Sequence, residues 1–228
     1  MRRRALLIII AALTLAPAEI RAQGPDTLRV APILERVRQG AGGEVAASFL
    51  TQEDQPRSAE QLDALADSLV AIALSYRRGD PRERQLAARE ARLALAWSAS
   101  PERLAERAAQ LAERDLGPPV PYPRAFEALV RVFEGTPDAG PKGSALGLMT
   151  NLPDTARVIT FLSEVATNPS TELVIAIEAV RLLASDTGDA GVAHLRRLWE
   201  TDAIPHAYVR EGLSGIAAER GWVREGPP

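Results

Sequence analysis

Apolar residues recur at spacings of three and four positions along most of this sequence. The clearest run follows Ser58 and places five residues on one helical face: Leu62, Leu65, Leu69, Ile72 and Tyr76. Ser58 and Gln61 match a capping box that begins such a helix, and Gly79 is expected to end it. No segment shows the alternating pattern of strands bounded by hairpin turns. The pattern predicts an all-α protein.

The composition supports this fold class. Aromatic residues make up 4% of the chain, fewer than a β-sandwich or a carbohydrate-binding module usually carries. Alanine, leucine, glutamate and arginine are abundant, and all four are strong helix formers. At least seven short helices are predicted, and short links between them require antiparallel neighbours.

The N-terminus has the organisation of a secretory signal peptide. Three arginines at positions 2–4 precede an uncharged apolar run from Ala5 to Ala16. This run is shorter than the roughly 20 residues that span a bilayer. Cleavage is expected after Ala22 or, alternatively, after Ala18, although an uncleaved anchor or a buried first helix would fit the same residues. We expect an exported protein, periplasmic or extracellular, with no stable membrane anchor after cleavage.

These features divide the chain into a signal peptide, a partly irregular N-terminal segment, a helical repeat-like domain and a C-terminal tail: residues 1–22, 23–57, 58–222 and 223–228. Within the second segment, Pro32 to Gln39 is predicted as a short helix, and Glu44 to Leu50 remains unassigned. The chain has no cysteine, so an exported domain must be held together by its apolar core without disulfides.

Apolar positions in the second half recur at a near-constant period. At an offset of 34 residues, Val158, Phe161 and Val165 fall on Val192, Leu195 and Trp199. At an offset of 33 residues, Ala176, Val180 and Leu183 fall on Val209, Leu213 and Ile216. This period predicts that helices 154–167 and 190–200 superpose, as do helices 170–184 and 205–219. The segment from Leu173 to Ala184 is apolar over most of its circumference.

The stretch from Ile175 to Trp199 resembles a HEAT-type repeat, with an Ala- and Leu-rich helix, a short Gly/Asp turn and a second helix with one apolar face. Nine positions hold the pattern: Ala179, Leu182, Leu183, Gly188, Asp189, Ala190, Val192, Leu195 and Leu198. The resemblance covers about residues 124–222 and implies a short α-solenoid of stacked antiparallel hairpins. An irregular helical bundle is the alternative. HEAT-like proteins provide interaction surfaces rather than one chemistry, so the resemblance implies no catalytic residue.

Residues that could support catalysis or metal binding are scattered. His194 and His206 lie on different predicted helices, without the tight ligand spacing of a zinc site. Glu60, Asp63 and Asp67 fit a solvated helical face. No catalytic, cofactor-binding or metal-binding residue is assigned, and no cofactor is expected.

Three short motifs have competing interpretations. Gly212-Leu213-Ser214-Gly215 superficially resembles a nucleophile elbow, but Leu213 belongs to a periodic helical face. Gly140 to Ser144, which includes the only lysine, Lys142, is expected to be a helix-entry turn rather than a phosphate loop. Asp186 to Asp189 lacks the length of a calcium loop and is expected to be a turn with an N-cap.

Charge and the three tryptophans bear on partners. The signal peptide carries a net charge of +3 and the whole chain −3, which leaves about −6 and disfavours nucleic acid as a partner. Trp97, Trp199 and Trp222 fit either core packing or an interface. The sequence favours a non-enzymatic interaction module with an unidentified protein partner and an undetermined oligomeric state. The alternative is an envelope-polymer lyase or hydrolase that gathers dispersed carboxylates in space.

Overall fold

The computed structural model describes residues 27–53 and 55–223, and this part of the chain is helical without strands. The prediction of an all-α protein is confirmed. The predicted signal peptide, with both cleavage sites, lies outside the described residues, as does the tail from residue 224. Eleven helices follow one another: α1 Thr27–Arg38, α2 Gly43–Leu50, α3 Ala59–Leu74, α4 Arg82–Trp97, α5 Pro101–Ala112, α6 Ala125–Gly135, α7 Ala139–Met149, α8 Thr155–Thr167, α9 Leu173–Ser185, α10 Gly188–Glu200 and α11 Ala207–Glu219.

Several helix starts follow the local signals in the sequence. The Ser58 hydroxyl accepts a hydrogen bond from the Gln61 backbone N–H, and the Gln61 side chain accepts one from the Ser58 N–H, completing a capping box. Asp154 caps α8 by accepting a hydrogen bond from the Arg157 N–H. Side-chain caps satisfy backbone donors that have no partner within the helix.

Other boundaries differ from the sequence-based expectations. Helix α1 begins at Thr27 and continues through Pro32, and Glu44 to Leu50, unassigned from sequence, belongs to α2. Helix α7 begins at Ala139 and includes Gly140 to Ser144, the stretch expected to be a helix-entry turn. Proline is tolerated in a first helical turn, where backbone donors lack intrahelical acceptors, so Pro141 does not end α7.

Ten of the described helices form consecutive hairpins: α1/α2, α3/α4, α6/α7, α8/α9 and α10/α11. The first members of these hairpins, α1, α3, α6, α8 and α10, lie next to one another and are called the first row. The second members, α2, α4, α7, α9 and α11, are likewise neighbours and are called the second row. Phe126 and Phe161 link α6 to α8 with ring centroids 5.9 Å apart. This arrangement is repeat-like and is compatible with a helical solenoid or a helical bundle.

Polar contacts show that α3, α6 and α8 of the first row run in the same direction. Asp63 in the second turn of α3 accepts a hydrogen bond from Arg124 at the start of α6, at 2.6 Å. At the other end of these helices, the Arg78 N–H donates to Asp138 at 3.1 Å. Glu127 near the start of α6 binds Arg157 near the start of α8 at 2.9 Å. Helices α3, α6 and α8 therefore stack side by side with matching ends.

Helix α5 stands outside both rows. Among its side chains only Leu111 is buried, and the chain leaves and rejoins the hairpins at nearly the same place. The Tyr122 N–H donates to the Ser98 carbonyl at 2.8 Å, and the Val120 N–H donates to the Thr51 carbonyl at 3.0 Å. The Pro-rich segment 118–123 is thereby fixed along the surface of the first two hairpins.

A single apolar core runs from Val37 in α1 to Leu213 in α11. Its largest fully buried side chains are mostly leucines, including Leu65, Leu95 and Leu183. Among the described residues, no helix combines the length and the apolar character that crossing a membrane requires.

Candidate interaction site

Helix α9 exposes three aliphatic side chains on its first two turns. Leu173 is 44% exposed, Val174 54% and Ile177 38%. Helix α9 contacts α7, α8, α10 and α11, so this exposure is not the fraying of a terminal helix. Tyr208, 66% exposed, lies in the first turn of the neighbouring helix α11. Exposed aliphatic residues on consecutive turns of a well-packed helix, as on α9, are typical of a binding site.

The helices on either side of α9 have solvent-facing stripes of small residues. Helix α7 carries Gly140, Ser144 and Gly147, and helix α11 carries Gly212 and Gly215. A Cβ atom at any of these four glycines would meet no other atom within 4 Å. The packing of the described residues therefore does not require glycine there. We call the exposed stripes of these three helices the α7–α9–α11 face: an aliphatic ridge between two smooth flanks.

Most charged groups around this face are paired. Lys142 binds Glu172 at 3.2 Å, and Arg181 binds both Glu178 and Asp186, at 2.8 and 3.5 Å. These carboxylates, chiefly Glu178, raise the pKa of Arg181.

Arg220, which follows α11, donates instead to the Ala184 carbonyl at 3.3 Å. Arg210 pairs with Asp202 at the edge of the row, at 3.9 Å. On α11, Glu211 and Glu219 are exposed and have no ionic partner among the described residues. Of these residues, Glu211, Arg210 and Asp202 line the side of α11 that faces α10.

Apart from this face, a concavity of about 190 Å³ lies between α2 and α5. Trp97 contributes to its lining, with the Arg103 guanidinium 5.2 Å from the indole ring. The Glu53 side chain is only 7% exposed and binds Arg107 at 2.6 Å. Glu53 also accepts hydrogen bonds from the hydroxyls of Ser48 and Thr51, at 2.8 and 3.0 Å. Its oxygen atoms are therefore occupied by groups within the protein.

Another concavity, of about 170 Å³, lies between α10 and α11. Trp199 forms part of its wall and packs against Trp222, with ring centroids 6.0 Å apart. Both indoles are half-buried and contact the apolar core. They stack the end of α11 onto α10.

The two histidines lie in different surroundings. His194 is half-buried on α10, and its Nδ1 atom accepts a hydrogen bond from Arg197 at 3.0 Å, because a guanidinium can only donate. Burial and the Arg197 charge lower the pKa of His194. His206 instead occupies the N-cap position of α11. Within the described residues, no group of three or more His, Asp or Glu side chains is arranged to hold a metal ion.

The remaining sequence candidates are either bonded within the protein or exposed at its surface. The Ser214 hydroxyl donates to the Arg210 carbonyl inside α11, as expected for a helical serine. Asp186 ends α9 and pairs with Arg181. Glu60 is exposed at the start of α3, and Asp67 pairs with Arg131 at 2.6 Å.

Asp63 has a role that its sequence position did not reveal. Its carboxylate accepts hydrogen bonds from the Tyr122 hydroxyl at 3.0 Å and from Arg124 at 2.6 Å. Burial raises the pKa of Tyr122, and the hydrogen bond to Asp63 adds to the increase. Asp63 therefore fixes the Pro-rich segment onto α3.

Sequence reasoning also missed the α7–α9–α11 face. The available signal was the apolar circumference of the segment from Leu173 to Ala184, because a helix with two packed sides has no structural need for a third apolar side. Comparison with known proteins finds no matching family model, curated protein or solved structure.

Proposed function

We propose that this chain is an exported, non-enzymatic protein-interaction module that binds its partner through the α7–α9–α11 face. The observation that carries this proposal is the exposed aliphatic ridge of Leu173, Val174 and Ile177 on a helix that is otherwise packed by its neighbours. Covering such side chains with a partner is worth about 25 cal/mol for each Å² removed from water. The other described residues leave these three side chains exposed, which favours an external partner.

We propose that the chain forms a short HEAT-like solenoid. Its support comes from the two rows of helices, the parallel direction within the first row, and the recurrence of apolar positions at offsets of 34 and 33 residues. A solenoid presents one side of each row as an extended binding surface. The α7–α9–α11 face is that kind of surface in the second row.

Export is supported by the arginines at positions 2–4 and by the apolar run that follows them. Cleavage after Ala22 would give a mature protein that begins at Gln23. Intact-mass and N-terminal analysis of the protein recovered from a secreting host would test this. Recovery from the cytosol with Met1 in place would contradict it.

An envelope-polymer hydrolase or lyase is supported less well. Its best location is the concavity between α2 and α5, where Glu44, Glu53 and Glu106 contribute to the lining. A general acid or base must have an oxygen within reach of the substrate. Glu53 instead bonds to Arg107, Ser48 and Thr51, which suits a structural role.

Site-specific photo-crosslinking would test the interaction proposal. A photo-reactive amino acid would replace Ile177 or Tyr208 on the proposed face, and Thr160, exposed on α8 in the first row, would serve as the control position. We expect one adduct of defined mass from the two face positions and none from position 160. Equal labelling from all three positions, or no adduct from the face, would overturn the proposal.

A further inference from the structure

Helix α5 is attached to the stacked hairpins by few side chains. It has no extensive contact with another described helix, and Leu111 is its only buried residue. The concavity of about 190 Å³ separates α5 from α2, and Ala47 of α2 and Leu104 of α5 line it from opposite sides. Helices that pack directly on each other leave no space of this size between them. Helix α5 therefore stands away from the surface of the hairpins.

The chain on either side of α5 is held firmly. Before the helix, Ser98 is fully buried, and after it Tyr122 is buried as well. The Tyr122 N–H donates to the Ser98 carbonyl at 2.8 Å, and the Val120 N–H donates to the Thr51 carbonyl at 3.0 Å. Residues 113–118, which connect α5 to this anchored segment, are all exposed. A helix between two fixed ends, with an exposed link beside it, has the arrangement of a hinged element.

One ionic cluster ties α5 to α2 and to the loop after it. The Arg107 Nε atom donates to Glu53 at 2.6 Å, and its Nη2 atom donates to the Ser48 hydroxyl at 3.1 Å. Glu53, whose side chain is 7% exposed, also accepts hydrogen bonds from the hydroxyls of Ser48 and Thr51. If Arg107 moved away, Glu53 would keep both hydroxyl donors and would meet water from the concavity that it lines. The tie can therefore break without leaving a buried carboxylate that has no partner.

We infer that α5 is a hinged strap that the Arg107–Glu53 pair holds closed and that swings away from α2 as an intact helix. Opening costs little compared with global unfolding, because it releases only Leu111 and the ionic cluster. The closed strap forms one wall of the concavity, and the open strap uncovers Trp97 and Ala47 on the opposite wall. A ligand that binds better to one of the two positions would shift the strap toward it. This device is separate from the α7–α9–α11 face.

Distance measurements by double electron–electron resonance would test the strap. The chain has no cysteine, so the substitutions A109C on α5 and E35C on α1 would place two spin labels at exposed positions. We expect one main distance in this labelled chain. Adding R107Q is expected to produce a second, longer distance and to raise the open population about tenfold, because the charged donor to a buried carboxylate is lost.

Two controls separate a hinged movement from other effects. R114Q makes the same chemical change at an exposed position beyond α5 and is expected to leave the distance distribution unchanged. The circular dichroism spectrum of R107Q is expected to match that of the labelled chain, because the strap moves as a helix. An unchanged distance in R107Q, an equal change in R114Q, or a broad distance distribution with a loss of helical signal would overturn the inference.

Discussion

Arg92 on α4 is buried, and no described residue forms an ion pair with it. Its side chain is 8% exposed, and the Nε and Nη1 atoms have no hydrogen-bond partner among the described residues. Burial lowers the pKa of Arg92; Tyr76 partly offsets this and Arg89 adds to it. A buried charge that nothing neutralises reduces stability, because the desolvation of the guanidinium is not offset by attraction.

Arg92→Met is expected to stabilise the protein by about 1–2 kcal/mol, since methionine fills a similar volume without a charge. Urea denaturation followed by circular dichroism would measure the change. The control Arg89→Met alters an exposed residue on the same helix and should change stability by less than about 0.5 kcal/mol. A loss of stability in R92M would mean that the guanidinium has a partner outside the described residues.

His194 is expected to titrate below its ordinary value of 6.5, because partial burial and the neighbouring Arg197 both disfavour the imidazolium. The unfolded chain then binds more protons than the folded chain between the two pKa values. The stability contributed by neutral His194 is therefore present above pH 6.5 and is lost as the pH falls through the folded-state pKa.

NMR titration of the imidazole would measure the pKa directly. Arg197→Gln is expected to raise the pKa of His194 toward the ordinary value, since it removes the positive charge and the charged donor to Nδ1. An unchanged pKa in R197Q would show that burial alone is responsible.

Among the helices, α11 contains glycines that its own packing does not explain. Neither Gly212 nor Gly215 has a positive φ, and a Cβ atom would meet nothing at either position. Gly215→Ala is therefore expected to raise the free energy of unfolding by about 0.5–1 kcal/mol, the usual gain from replacing glycine in an exposed helix.

Gly191→Ala is the matched comparison on α10. A Cβ atom there would collide with the Thr187 side chain and lie 2.7 Å from the Leu183 carbonyl oxygen, so this variant should be destabilised. Chemical denaturation of both variants would measure the difference. If G215A were destabilised to the same degree, α11 would have to pack against part of the chain that the described residues do not include.

Helix positions were largely predictable from the sequence because their signals are local. The capping box at Ser58 and the cap at Asp154 span only four residues each, and both are present. Helix α7 was harder, because the glycines and proline between residues 139 and 143 normally favour a turn. The apolar residues that follow, including Leu146 and Met149, are fully buried in the core, and their packing extends the helix over this weak segment.

The whole molecule should open from its edges. Helices α4 and α9 contact neighbours on several sides. In the described part of the chain, the main contacts of α11 are with α9 and α10, and α5 buries a single residue. Hydrogen exchange measured by mass spectrometry is expected to be slowest in α4 and α9 and fastest in α5, with α11 intermediate. Protection of α5 equal to that of α4 would contradict this order.

The candidate site could not be predicted in the same way as the helices. Apolar periodicity identifies which residues leave water but not which neighbour covers each of them. The exposure of Val174 and Ile177 depends on where α7, α10 and α11 lie around α9. Likewise, Asp63 gains its role from Tyr122, which is 59 residues away in the chain.

The hydrogen bond between Tyr122 and Ser98 makes α5 and its flanking loops a closed excursion from the stacked hairpins. Because its two ends meet, a change in the length of this segment need not move the helices on either side. Exposed residues between these ends can be exchanged without shifting α6 relative to α4, provided that Tyr122 keeps its contact with Asp63, Val120 its contact with Thr51 and Arg107 its pairing with Glu53. The excursion is thus a natural position for inserting a foreign peptide, tag or small domain, and a part of the chain in which related sequences are free to differ in length.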